Sequence, residues 1–313
     1  MRLSARLKRA PQLRSRFEPG NPLAGYYNDL TLEVRAADPL DGAERLRQLI
    51  ATSQVNFTSV AQLGIGAWQL AKSEPSWLRV TTAAARWLAG QLDDRGCLPF
   101  QWAMPHTYKI EPPWVSAMAQ GEAVSLFVRA APEDDAPEEL LSAAARAVIP
   151  LLDESPVVTQ TPEGPVLQEY PTRPPSHVLN GWIFGLWGLY DLAAMPQGDL
   201  ISPDLATLTS SAFQDGISAL ATRLPQYDAW GWSRYDLFPH PIVHVASPFY
   251  HRLHIEMLRA TSELAPDQRL EEMAARWERS ATNPVASAAA VSRKVAFRMI
   301  QPRGRRFARR PPP

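Results

Sequence analysis

Cysteine is almost absent from this chain: Cys97 stands alone, which excludes an internal disulfide and fits a reducing compartment. No apolar run approaches the ~18 residues that cross a bilayer. The stretch from Arg2 to Phe17 also lacks the apolar centre of a secretory leader. On these absences the expected location is the cytoplasm. No Gly-rich phosphate loop, dinucleotide fingerprint, Gly-x-Ser-x-Gly elbow or His-Glu-x-x-His pair occurs, so neither a metal nor an organic cofactor is expected. Acids are missing from both ends. Residues 1–17 hold six Lys or Arg and residues 293–313 hold eight, with no Asp or Glu in either stretch. Setting those 14 aside from 32 leaves 18 basic against 32 acidic residues in the body, and such a surface repels nucleic acid.

What is present is apolar material in helical rhythm. The hydrophobic share is 45% of 313 residues, enough for a sizeable core. Apolar periodicity at 3.6 residues predicts helices at roughly 41–53, 55–72, 76–93, 115–131, 137–152, 176–194, 203–223, 247–263 and 267–281. The gaps at 97–114, 155–175 and 224–246 are rich in Pro, aromatic residues and His. Two of them suggest short strand pairs, at 98–102 and 230–237. Paired helices with aromatic loops between the pairs predict a mainly α fold, an (α/α) barrel or toroid with short β-hairpins lining a cleft at one end. The domain is read as 21–285, between a flexible basic arm at 1–20 and a flexible basic tail at 286–313. Of ten tryptophans, Trp182 and Trp187 fall in a helical apolar run and are expected in the core. Trp102, Trp114, Trp230 and Trp232 lie in loops beside polar residues and are candidates for stacking on sugar faces.

Three segments stand out. In Trp114 to Glu122 (WVSAMAQGE), small residues allow close backbone approach, and Ser116 and Gln120 share a helix face. In Gln168 to Trp182, Pro171 holds Tyr170 extended, so Glu169 and Tyr170 should point to opposite sides unless a turn intervenes. Ser176 is a candidate cap for the next helix. Asn180 and Gly181 in its first turns cost stability, which points to ligand contact or close packing. The third segment runs from Trp232 to His254. There His251 and His254 stand at i, i+3, but no companion ligand pattern accompanies them, so a role other than metal binding is expected.

At these segments the chain resembles the C-terminal domain of the glucuronyl C5-epimerases. The matching stretches are Trp114–Gly121 (WVSAMAQG), Glu169–Pro171 (EYP), Val178–Asp191 (VLNGWIFGLWGLYD), Tyr235–Leu237 (YDL), and Tyr250-His251 with His254, within roughly 55–280. The resemblance implies an (α/α) barrel and an epimerase that converts glucuronate to iduronate within a glycan. It implies a catalytic set of Glu169, Tyr170, Tyr235 and Tyr250; within that set we expect Glu169 and Tyr250 to face C5 from opposite sides and Tyr170 and Tyr235 to bond the carboxylate. Trp114, Ser116, Gln120, Asn180, Arg234, His251 and His254 complete the expected substrate-binding set, Arg234 and the two histidines as groups that could lower a tyrosine pKa. Animal members carry a membrane anchor and an N-terminal β-rich domain that helps form their dimer and groove, whereas about 40 residues precede the first helix pair in this chain. They also have arginine where this chain has Phe238 and Ser247, which suggests a different or unsulfated substrate.

Two other activities fit the same residues. A uronate polysaccharide lyase begins with the same C5 proton loss, and a glycan-binding subunit could keep the aromatic cleft without turnover. The expected partner in each case is a glucuronate-containing oligo- or polysaccharide, with a homodimer left open. The basic ends, with Phe17, Phe297 and Phe307, are read either as solvated extensions or as a weak anchor to an anionic membrane at its inner face.

Overall fold

The structure is a computed structural model that describes residues 12–105, 107–152 and 155–302. Eleven α-helices, besides short 3-10 turns, are found among the described residues: α1 (Thr31–Val34), α2 (Pro39–Ile50), α3 (Phe57–Ala71), α4 (Leu78–Ala89), α5 (Ala117–Ala130), α6 (Pro137–Val148), α7 (Leu179–Ala193), α8 (Pro203–Arg223), α9 (Pro248–Leu264), α10 (Gln268–Ala281) and α11 (Pro284–Ile300). Three antiparallel strand pairs interrupt them: β1 (Met104–Pro105) with β2 (Lys109–Ile110), β3 (Val158–Thr161) with β4 (Gly164–Leu167), and β5 (Asp228–Ala229) with β6 (Trp232–Ser233). The fold is mainly α, as the periodicity predicts, and each of the nine expected helices is present. The β3–β4 hairpin was not expected. The 98–102 segment makes an isolated bridge, Phe100 to Trp114, in place of a strand pair of its own.

Helices pack in two rows. α3, α5, α7 and α9 touch in that order, and α4, α6, α8 and α10 each lie against the inner helix that precedes them. These contacts define the rows and the order of an α/α array; they do not define the closure of a ring. Every residue of α5 is buried, as is nearly all of α7, so these two helices form the middle of the core, and the polar side chains they carry must find partners within it. Their backbones meet at glycine: a Cβ on Gly121 would stand 2.3 Å from the Phe184 carbonyl oxygen, and one on Gly188 would stand 2.5 Å from Gly121 Cα. The small residues of the SAMAQG stretch therefore serve the close approach of two central helices. Trp182 and Trp187 are fully buried. At the far end of the α5–α7 contact, Arg129 Nη1 meets Asp191 at 2.6 Å with both side chains wholly buried, and the same guanidinium donates to the Gly25 carbonyl.

Within both stretches expected to be flexible, the described residues are packed on the body. Residues 12–20 lie along the body: the Ser15 amide donates to the Tyr27 carbonyl, the Asp29 amide to the Leu13 carbonyl, and Arg14 pairs with Glu263. At the other end, 284–300 is helix and packs through Ala290 and Phe297. Phe297 is thus core, and Phe17 packs edge-on against Tyr27. Absence of acid suggests solvation, but the apolar residues of α11, Ala290 and Phe297, are buried against the body and decide its conformation. Residues 1–11 and 303–313, with Phe307, lie outside the described residues.

Candidate active site

A cavity of about 160 Å³ opens at the N-terminal ends of all four inner helices. Asn56 and Ser116, the N-caps of α3 and α5, accept from the amides of Ser59 and Ala119 and also line it. Asn180 enters from the first turn of α7, and Tyr250 from the first turn of α9, whose N-cap is Ser247. Four helix N-termini aimed at one space leave partial positive charge there, which favours an anionic group. The aromatic wall is Phe100, Trp102, Trp114 and Tyr170. Phe100 and Trp114 stack at 4.1 Å. The indole N–H of Trp114 donates to the Trp102 carbonyl and that of Trp102 to the Val55 carbonyl, so neither ring can turn freely.

Glu169 sits at the inner end, 6% exposed. Residues 169 and 170 form a bend, so Glu169 and Tyr170 both line the cavity, contrary to the opposite directions expected of an extended pair. The bend is held from behind. Ser176 Oγ donates to the Tyr170 carbonyl at 2.9 Å and does not cap α7, which begins after Val178. Gly181 makes room for the carboxylate, because a Cβ there would stand 2.3 Å from Glu169 Cβ and 2.6 Å from Oε2. Asn180 Nδ2 lies 3.4 Å from Oε2. Burial pushes the Glu169 carboxyl up to about 7, with the Asp236 charge acting in the same direction and hydrogen bonds from Tyr170 and Asn180 opposing it. Burial, then the Glu169 charge, holds the Tyr170 phenol well above its ordinary value, while a hydrogen bond with Tyr235 acts to lower it. Tyr235 lies behind this front rank, its ring centre 5.0 Å from that of Tyr250. It is also held protonated by burial and by the neighbouring Glu169 charge.

Trp114, Ser116 and Asn180 of the expected binding set line the cavity, and the other four do not. Gln120 is wholly buried; its amide bonds the Leu98 amide and the carbonyls of Gly96 and Ala147, which ties a loop to α5. His251 accepts the Ser233 amide at Nδ1 and meets the Trp277 carbonyl at Nε2, and His254 shares the Ser233 hydroxyl. Burial lowers the pKa of both, to about 4 for His251, so they clamp the β5–β6 hairpin to α9 as neutral rings. Arg234 points back to the Gln226 carbonyl. Of the candidate stacking residues, Trp232 lies against His251 at 3.8 Å. Trp230 is exposed at the hairpin tip with Arg293 over its ring. Phe238, which stands where animal members of the resembled family have arginine, packs on Tyr108 and His240.

A second polar group stands behind the tyrosines and was not assigned from the sequence. Tyr108 donates to Asp236, whose other partners are His240 and His244. Ligand atoms of Asp236, His240 and His244 lie within 4.8 Å of one another. Their lone pairs and protons are, however, directed at one another, and His244 Nε2 faces the Lys294 ammonium at 2.8 Å. A cation there opposes a second cation on the same ring. Asp236 stands next to Tyr235 and could have been found from that adjacency. His240 and His244 lie in irregular chain, where i, i+4 spacing carries no geometric meaning.

Fold and site together define a helical protein whose cleft presents one near-neutral carboxyl group, a cluster of tyrosines and an aromatic wall. The family model described as "D-glucuronyl C5-epimerase C-terminus" matches residues 93–279, and the chain belongs to that family. A curated relative, the D-glucuronyl C5-epimerase of Caenorhabditis elegans, is 31% identical over 215 residues, covering 62% of this chain and 34% of the relative. The chain thus spans about a third of that protein's length.

Proposed function

We propose that this cavity inverts C5 of a glucuronic acid residue within an oligo- or polysaccharide by removing the C5 proton on one face and returning a proton on the other. The observation that carries this reading is Glu169: a buried carboxyl raised to about 7, in one cavity with Tyr170 and Tyr250. A proton α to a carboxylate is very weakly acidic, so the base must be matched to working pH and the doubly charged enediolate must be met by donors. Glu169 as carboxylate takes the proton. The helix N-termini and the Tyr170 hydroxyl, backed by a hydrogen bond from Tyr235, face the sugar carboxylate, and the Tyr250 hydroxyl returns a proton to the opposite face. One turnover leaves Glu169 protonated and Tyr250 as phenolate. Tyr170 donates a hydrogen bond to Glu169 and Tyr235 donates one to Tyr170, and the Tyr235 ring packs edge-on against Tyr250; proton exchange through these hydroxyls and solvent resets the pair without net proton gain.

The test is incubation of a desulfated glucuronate-containing glycan with the protein in deuterated water, read by mass and by NMR at C5. Deuterium at C5 with iduronate formed and chain length unchanged supports the epimerase. An unsaturated, ultraviolet-absorbing chain end identifies a lyase, and binding without deuterium uptake identifies a glycan-binding protein. Either overturns the proposal.

A further inference from the structure

The segment matched by the family model ends at residue 279, and α11 comes after it. This helix is nevertheless built into the back of the site. Phe297 stacks on the His244 ring at 3.8 Å. One turn earlier, Lys294 Nζ lies 2.8 Å from His244 Nε2, donates to the Val245 carbonyl at 2.9 Å, and stands 5.4 Å over the Tyr235 ring. Arg298 Nη2 is 3.5 Å from the same imidazole nitrogen, and its Nη1 donates to Thr107 Oγ1.

Protons can be assigned along this chain of contacts. An ammonium can only donate, so His244 Nε2 accepts and the ring carries its hydrogen on Nδ1. That hydrogen points at Asp236 Oδ2, 2.5 Å away. Asp236 also receives the Tyr108 hydroxyl and lies 3.2 Å from His240 Nε2. Three donors around a fully buried carboxyl keep it ionised, well below the usual carboxylate range against the opposing effect of burial. Tyr108 in turn packs its ring against Tyr170, centre to centre 5.0 Å. Asp236 and Glu169 are therefore two buried carboxyl groups on either side of the tyrosines, and the positive charge that offsets Asp236 comes from α11.

We propose that Lys294 is a positioning residue of the Glu169 site: its ammonium sets the His244 tautomer that holds Asp236 ionised against Tyr108, and places a positive charge behind Tyr235 where the enediolate forms. The proposal rests on the reading of the cavity as a C5-epimerase site. The titratable and charged groups facing Lys294 and His244 are Asp236 and His240 from the same loop, Tyr108 and Tyr235 from the tyrosine shell, His254 from α9, and Arg298 from α11 itself. Burial, reinforced by Arg298 and opposed by Asp236, brings the Lys294 ammonium down to about 7. Its charge is present below that pH and lost above it. Glu169, as base, needs the opposite. The exchange rate of the parent protein should then be bell-shaped and peak near pH 7, with the alkaline limb belonging to Lys294.

The experiment compares the full chain with Lys294→Arg, Lys294→Gln and Lys294→Met, following C5 deuterium uptake from pH 5.5 to 9, with circular dichroism to confirm folding. Lys294→Arg cannot lose its charge and should keep its rate on the alkaline side, so the limb disappears. Lys294→Gln retains a donor to His244 without charge, and Lys294→Met retains neither. Their rates at pH 6.5 should fall at least tenfold, Met below Gln. An alkaline limb unchanged in Lys294→Arg, or Lys294→Met at the parental rate, overturns the proposal. Imidazole ¹⁵N shifts of His244 supply a readout independent of turnover. A protonated Nδ1 and a bare, hydrogen-bonded Nε2 are expected in the parent, and the reverse tautomer overturns the assignment. If the parent exchanges no C5 proton while His244 shows the expected tautomer, the reading of the cavity is what has failed.

Discussion

Gly181→Ala is a substitution that helix propensity favours by about 1 kcal/mol, since alanine in the first turns of α7 loses less backbone entropy than glycine. The structure predicts the opposite outcome for activity. The added methyl would stand 2.3 Å from Glu169 Cβ, 2.8 Å from Cγ and 2.6 Å from Oε2. Because Cβ itself is struck, no rotamer of Glu169 relieves the contact, and the 169–170 bend must retreat from α7. Ordinary carbon contact begins at 3.4 Å, so the retreat is about 1 Å, a displacement that costs on the order of 10²-fold where proton transfer needs a near-attack geometry. Overpacking of this kind costs about 1–3 kcal/mol, partly offset by the propensity gain. The net stability loss is thus about 0–2 kcal/mol. Urea denaturation measures that loss, and C5 deuterium exchange measures the rate. A variant that keeps exchange within threefold of the parent would refute the claim that Gly181 sets the position of Glu169.

Other consequences can be measured independently. A carboxyl at about 7 in the folded protein against an ordinary value near 4.3 in the unfolded chain binds an extra proton between those pH values, so its contribution to stability falls as pH rises through that window. Glu169→Gln should therefore be more stable than the parent at pH 8 by about 3–4 kcal/mol while losing exchange; thermal unfolding at pH 5 and 8 tests the difference, which should fall to about 1 kcal/mol at pH 5. Arg129→Met leaves Asp191 buried without its cation and should destabilise by about 3–5 kcal/mol, a loss seen in denaturant midpoints; a cost under 1 kcal/mol would contradict the pairing. Exposed Val285, Val295, Met299 and Ile300 share the outer part of α11 with exposed Arg293, so the chain should sediment with anionic vesicles and be released by salt. Val295→Asp with Met299→Asp should reduce that binding, and binding unaffected by salt would count against it.

Most helices were legible because each buries one face, and burial of one face imposes a 3.6-residue period on the apolar residues. The almost wholly buried α5 and α7 were legible for a related reason: their small residues mark a close crossing, and Gly121 and Gly188 lie at it. Glu169, Tyr170, Tyr235 and Tyr250 could be named together because they stand in short segments that resemble one family. Their directions could not be read so well. Pro171 argued for an extended Tyr170, but the bonds from Ser176 and Thr172 to its carbonyl turn the chain, and no local rule includes that contact.

The remaining errors share one physical cause. Gln120, His251 and His254 are polar side chains next to the site in sequence, yet each is consumed by backbone or hydroxyl partners supplied from elsewhere in the chain: Leu98, Gly96 and Ala147 for Gln120, and Ser233 and Trp277 for the histidines. The basic C-terminal stretch was read as a solvated tail because charge composition is a local property. Lys294 is drawn in by Phe297, which buries its ring against His244 some fifty residues earlier. Sequence alone determined the helical period and the punctuation of the loops, which follow from short-range spacing, and its resemblance to one family singled out the candidate acid/base residues. Tertiary structure alone decided which polar groups face the cavity and which are spent on the fold, because a polar group's partner is set by distance in space.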